Sequence, residues 1–183
     1  MKQFISILNN SLEKRLPFEA VGWTLFDIIA TDGAYRTPGN AVNYEKSIRS
    51  FVSQGKPAAI TEFGCGAYTG AADNASNSIW IIDWLDGRPE KLNGDYHRNE
   101  GEQASYMLEL FKVFETEKVD AAFITSFAAY NLPHRTDPLL DLDMAGYGIV
   151  KVYEDKFGET YADMPWEPKE AFKTLASYFK IER

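Results

Sequence analysis

Glu62 closes a short run, Ala58-Ala59-Ile60-Thr61, set off by Gly55 and Pro57 on one side and by Gly64 and Gly66 on the other. A short apolar run bounded by turn residues is the pattern of a strand buried on both faces, as in a parallel α/β sheet. Charge is costly inside such a sheet, so a carboxylate there belongs at the carboxyl end of the strand, facing a cavity. In α/β barrels that end carries the chemistry. The competing reading is a strand-end Glu neutralised by a neighbouring Arg or Lys. His97 and His134 belong to different loops, and neither stands in a metal-binding spacing such as H-x-H or H-E-x-x-H. Asp137, Asp141 and Asp143 lack the Gly and terminal Glu of a calcium loop. They read as a solvated loop, or as partners of Arg135 and Lys151. There is no G-x-S-x-G elbow, phosphate-binding glycine loop or C-x-x-C pair, and no metal or cofactor is expected.

The elements that must position Glu62 alternate between strands and helices. Residues 20–26 (AVGWTLF), 58–62 and 119–127 read as three strands, and a polar loop through Asp27, Asp32, Tyr35 and Arg36 follows the first. Residues 41–54 read as a helix with Tyr44, Ile48, Phe51 and Val52 inward, capped at Gly55. Residues 100–117 form the clearest helix, with Ala104, Met107, Leu108, Phe111 and Phe114 on one face. Asn99-Glu100 opens it, Glu favouring the positive end of the helix dipole. Residues 78–84 fit either a short strand or a helical turn, and residues 146–153 read as part of a small hairpin. Residues 168–180 close the chain as a helix with Pro168 at its first position. This order predicts βαβ units and a parallel sheet in one domain over residues 1–183, with a helix over residues 1–17 before the first strand.

The run KPAAITEFG resembles the seventh-strand motif of the large clan of retaining glycoside hydrolases built on (β/α)8 barrels. The blocks ITEFGCGAYTGAAD, LNGDYHRNEGEQASYMLELFKVFE, HRTDPLLDLDMAGYGIVKVYED and MPWEPKEAFKTLASYF are similar to the carboxyl-terminal part of bacterial glycosidase-like barrel proteins labelled abortive infection proteins. The resemblance implies a partial TIM barrel comprising about the last three βα units. It implies Glu62 as the nucleophile of a retaining hydrolysis of a β-linked carbohydrate. It also implies sugar contacts from Phe26 and Asp27 after the first strand, from Tyr68 after Glu62, and from Phe127 and Tyr130 after the third strand. Two departures stand out. The clan's acid/base Glu lies on a fourth strand upstream of everything present here, and Phe26 cannot supply the hydrogen bond that a Tyr or His often gives the nucleophile. The chain alone is therefore expected to lack an acid/base. The alternatives are a non-catalytic carbohydrate-binding or interaction protein on a degenerate barrel, or an inactive gene fragment.

Bulk properties narrow the partners. A net charge of -8 disfavours nucleic acid and anionic membrane. No stretch reaches the ~18 apolar residues of a membrane span. The first residues carry too short an apolar segment for a signal peptide, which favours the cytoplasm if Met1 is the natural start. Cys65 is the only cysteine, so no disulfide framework exists within the chain. The partner that the resemblance implies is a carbohydrate. Three strands with the Glu62 strand central leave two unpaired edges, and Val21, Ile60 and Ile124 are expected to be underburied. Self-association, or pairing with the missing barrel half, is expected to follow.

Overall fold

The computed structural model describes residues 22–180. It is a mixed α/β structure around a three-stranded parallel sheet: β1 (Ile29–Thr31), β2 (Ala58–Phe63) and β5 (Ala121–Ile124), with β2 in the middle. Helix α1 (Tyr44–Val52) connects β1 to β2, and α2 (Glu100–Thr116) connects β2 to β5. Before α2 stands a hairpin, β3 (Ile82–Leu85) and β4 (Arg88–Leu92). A second antiparallel pair, β6 (Val150–Val152) and β7 (Trp166–Pro168), precedes α3 (Glu170–Tyr178). No helix among the described residues is long and apolar enough to cross a membrane.

Side-chain spacing explains the helices. In α1, Tyr44, Ile48 and Phe51 recur on one face and are buried. In α2 the buried stripe includes Ala104, Met107, Leu110, Phe111 and Phe114, and the Asn99 side chain accepts from the Glu102 amide at 3.0 Å as an N-cap. The Asp86-Gly87 corner joining β3 to β4 takes φ values of 50° and 76°, the positive-φ pair that a tight hairpin turn needs. Phe63 seats the sheet on α2, its ring 5.1 Å from both Phe111 and Phe114 in edge-to-face contact.

Several expectations are corrected. The first strand is Ile29–Thr31, not residues 20–26; Trp23–Leu25 is a 3-10 turn, and residues 20 and 21, like the expected helix over residues 1–17, lie outside the described residues. The physical reason is burial. Ile29 is fully buried opposite Ala58, whereas Leu25 is 92% and Phe26 52% exposed. A three-residue strand is too short to show a period in sequence. The 78–84 stretch is both things at once, a 3-10 segment (Ala75–Ile81) running into β3. Pro168 ends β7 instead of opening α3, which starts after Lys169.

The expected underburied face is also reassigned. Ile60 is fully buried against the helices, and Val21 lies outside the described residues. Ile124 is half-buried. The uncovered face instead carries Ala30, Thr61 and Phe123. Phe63→Ala should cost about 3–5 kcal/mol in chemical unfolding, while Phe123→Ala, starting 58% exposed, should lie within about 0.5 kcal/mol of the parent. Equal costs would mean that the two faces of the sheet have been interchanged.

Candidate functional site

The ladder between β2 and β5 shifts register between Ile60 and Phe63. Those two residues are three apart, yet both are fully buried. Strict alternation would send one of them to the opposite face. The bulge resolves the conflict and leaves both Thr61 and Glu62 directed away from the helices, Thr61 exposed and Glu62 half-buried. Thr61 Oγ1 donates to the Thr31 carbonyl at 2.9 Å across the strands. Glu62 thus stands near the carboxyl end of the central strand, as the sequence predicts.

The donor that meets Glu62 is Tyr35, whose hydroxyl donates to Glu62 Oε1. The loop carrying Tyr35 is tied to the same strand: the Ala34 amide donates to the Glu62 carbonyl at 3.0 Å. Asn40 Nδ2 holds the Tyr35 carbonyl at 2.9 Å, and the Tyr44 hydroxyl holds that of Ala34 at 2.7 Å. Burial, then the Glu62 carboxylate, pushes the Tyr35 phenol far above its ordinary range, so it remains a donor. Tyr147 packs on Tyr35 with ring centroids 5.9 Å apart and donates to the Ala75 carbonyl at 2.7 Å. Its phenol is pushed up to about 12, chiefly by burial.

Burial also raises the Glu62 pKa; the Tyr35 hydrogen bond opposes the rise, and the Asp32 carboxyl adds to it. Downstream, a Cβ at Gly66 would stand 2.6 Å from the Met144 carbonyl, so only glycine lets the two backbones approach. The Gly66 amide donates to the buried Ser78 hydroxyl at 2.9 Å. This fixes the start of the long connection from β2 to α2.

Of the other sequence-derived site residues, Phe26 and Asp27 are separated from Glu62, whereas Phe127 and Tyr130 leave the carboxyl end of β5, on the Glu62 rim. Phe26 and Asp27 lie at the amino end of β1: the Ile29 amide donates to the Pro57 carbonyl at 2.9 Å, and Lys56 Nζ donates to the Phe26 carbonyl. They are on the opposite rim, because the strand begins after them. Asp32 takes the place expected of Asp27, and Tyr35 supplies the hydrogen bond that Phe26 cannot. Tyr68 is buried, its ring 5.4 Å from that of Tyr96 and its hydroxyl accepting from Asn74 at 3.1 Å, so it braces the loop. Phe127 follows β5 and the cis Thr125–Ser126 peptide, and packs edge-on against Trp166 at 5.2 Å. Tyr130 is exposed on the same connection. Sequence reasoning missed Asp32, Tyr35 and Tyr147; the one available signal was a Tyr in the polar loop once the strand is placed at Ile29.

The acidic loop splits in two. Asp137 caps a 3-10 turn at the surface, whereas Asp141 and Asp143 are buried. Their partners are Arg98, His134 and Lys169 rather than the side chains of Arg135 and Lys151, which pair with Glu154 and Glu100 respectively. Arg98 Nη2 lies 2.7 Å from Asp141 Oδ2 and 2.9 Å from Asp143 Oδ2. With both Nη2 protons used there, His134 Nδ1–H is free to donate to Asp141 Oδ1 at 2.9 Å. Lys169, fully buried, lies 2.9 Å from Asp143 Oδ1. His134, Asp141 and Asp143 could together hold a metal ion, but the Arg98 guanidinium already bridges the two carboxylates. Cys65 is buried, and burial pushes its thiol well above the usual range, so it is not a poised nucleophile.

No protein-family model matches the chain, and no curated protein matches it.

Burial raises the Asp141 pKa, but His134 and Arg98 more than offset this and hold it below the usual carboxylate range. Its contribution to stability is therefore present above the unfolded-state pKa and lost as pH falls through the depressed folded value. Arg98→Met should cost about 3–5 kcal/mol at neutral pH, because two buried carboxylates lose their shared cation. The deficit should shrink on acidification. A urea titration giving a pH-independent loss below about 1 kcal/mol would show that the network is a weak surface arrangement.

Proposed function

We propose that Glu62 is the nucleophile of a retaining glycosidase-type centre and that the three parallel strands are part of a larger (β/α)8 barrel. The observation that carries this reading is a carboxylate near the carboxyl end of the central strand, with a buried tyrosine hydroxyl donating to one of its oxygens. The resemblance of the β2 segment to the nucleophile strand of that clan supplies the substrate class, a β-linked carbohydrate. With Oε1 taken by Tyr35, Oε2 attacks the anomeric carbon. The bond from that carbon to the leaving oxygen breaks, the electron pair departs with the oxygen, and a glycosyl ester forms on Glu62.

A second reading is favoured by Asp32. Asp32 directly follows β1, beside the strand that carries Glu62, and its carboxyl adds to the rise in the Glu62 pKa. A group that disfavours ionisation of Glu62 works against its use as a nucleophile. Under this reading the site binds sugar without cleaving it.

A 2-deoxy-2-fluoro-β-glycoside with a 2,4-dinitrophenolate leaving group distinguishes the two, because that group leaves without acid assistance. The nucleophile reading expects slow, stoichiometric labelling of Glu62, found by peptide mass spectrometry and absent in Glu62→Gln. Ordinary oligosaccharides should be turned over negligibly. Glu62 attacks only when ionised, and its pKa is raised, so labelling should speed up as pH climbs above the ordinary carboxylate range. Absence of any adduct leaves the binding-only reading; rapid hydrolysis of a natural oligosaccharide would reveal a second carboxyl group acting as acid/base.

A further inference from the structure

Tyr147 reaches the Glu62 centre from the connection that follows β5. Its backbone is fixed on both sides. The Gly146 amide donates to the Asp143 carbonyl at 3.1 Å, and the Ile149 amide donates to the Phe127 carbonyl at 3.0 Å. From that footing the side chain meets three separate elements. Its ring packs on Tyr35, with centroids 5.9 Å apart. Its Cδ1 stands 3.5 Å from where a Cβ at Gly64 would be, so the ring rests on the end of the strand that carries Glu62. Its hydroxyl donates to the Ala75 carbonyl at 2.7 Å, on the connection from β2 to α2.

Tyr35 needs such a neighbour. The bonds from the Ala34 amide to the Glu62 carbonyl and from Asn40 to the Tyr35 carbonyl fix the loop's backbone, not the ring. A tyrosine on a fixed backbone still has other staggered χ1 wells open to it. Its hydrogen bond weakens steeply once the hydroxyl turns away from the acceptor. The anchor at Ala75 is itself secured. Ala75 is buried, and its carbonyl also receives the Ser78 hydroxyl at 3.3 Å. Ser78 in turn accepts the Gly66 amide at 2.9 Å, four residues after Glu62. The Tyr147 ring is therefore held at one end by the connection it comes from and at the other by the connection that leaves β2.

We propose that Tyr147 is a positioning residue for the Glu62 centre: it keeps the Tyr35 hydroxyl aimed at Glu62 Oε1, and through Ala75 it makes that aim depend on the β2–α2 connection. Its bearing on catalysis rests on the nucleophile reading of Glu62; its bearing on the Tyr35–Glu62 hydrogen bond does not. Tyr147 touches neither reacting oxygen, because its own proton goes to the Ala75 carbonyl. It acts through Tyr35. A shift of the connection at Ala75 would free the Tyr147 ring, then the Tyr35 ring, and so change which state of Glu62 is favoured.

Carbon-13 titration of the Glu62 carboxyl in Tyr147→Ala and Tyr147→Phe tests the role, and the sign of the shift separates aiming from mere covering. Removing a covering ring admits water and lowers the Glu62 pKa, since burial is what raises it. Removing a ring that aims Tyr35 weakens the donation to the carboxylate and raises the pKa instead. Tyr147→Ala should therefore raise the Glu62 pKa, by less than Tyr35→Phe does. Tyr147→Phe keeps the ring and loses only the Ala75 bond, so it should fall between Tyr147→Ala and the parent. In a Tyr35→Phe background Tyr147→Ala should cause no further rise, because no hydroxyl is left to aim. A fall or no change in Tyr147→Ala, or an equal rise in both backgrounds, would overturn the role. If circular dichroism shows Tyr147→Ala unfolded, Tyr147→Leu takes its place with the same expected outcomes. The titration needs no sugar, so absence of an adduct on Glu62 would remove the nucleophile while these shifts still decide for or against Tyr147.

Discussion

A carboxylate cannot sit half-buried at the end of a strand unless some group meets it, and the meeting of Glu62 with Tyr35 governs how this side of the molecule is built. The bulge in β2 sends Glu62 away from the helices while Ile60 and Phe63 both stay in the core. The loop after β1 must then bring a donor to it. That loop is anchored by its own backbone bond to the Glu62 carbonyl and by the side chains of Asn40 and Tyr44. Tyr147 backs the Tyr35 ring and joins this arrangement to the connection that follows β2. Burial and the Asp32 carboxyl favour the protonated form of Glu62, and the Tyr35 hydroxyl favours the ionised one. Their balance sets the state of the site.

A second set of charges secures the remaining elements of the rim. Arg98, just before α2, reaches Asp141 and Asp143 on the connection after β5. Lys169, at the start of α3, reaches Asp143 from the other side. Glu100, in the first turn of α2, receives Lys151 from β6 and the Glu170 amide. These contacts tie α2, α3 and the long connection between β5 and α3 together at one place. Paired buried charges add little net stability over an apolar core, but losing one partner is expensive. The network therefore acts mainly by excluding other arrangements of these loops.

The sequence made the central part of this structure legible. A short run ending in Glu between glycines marks β2 and its carboxyl end, and the helical spacing of Tyr44, Ile48 and Phe51 and of Met107, Phe111 and Phe114 marks the two helices that cover it. Asn99-Glu100 marks the start of α2, as helix-end chemistry predicts. What was not legible depended on contacts distant in sequence. β1 is only three residues long, and an apolar stretch beside it was the stronger local signal, so Phe26 and Asp27 were placed on the wrong rim. Tyr35 is distinguished from other loop tyrosines only by the strand it folds against. Asp141 and Asp143 looked solvated because their cations, Arg98 and Lys169, come from different parts of the chain.

The claim that Tyr35 and Glu62 form one unit is most directly tested by carbon-13 NMR titration of the Glu62 carboxyl group, assigned by comparison with Glu62→Gln and followed in the parent chain and in Tyr35→Phe. The account predicts a Glu62 pKa above the ordinary carboxylate range in the parent and a further rise in Tyr35→Phe, because that change removes the donor favouring the ionised form. A Glu62 pKa at or below the ordinary range, or one unmoved by Tyr35→Phe, would contradict it.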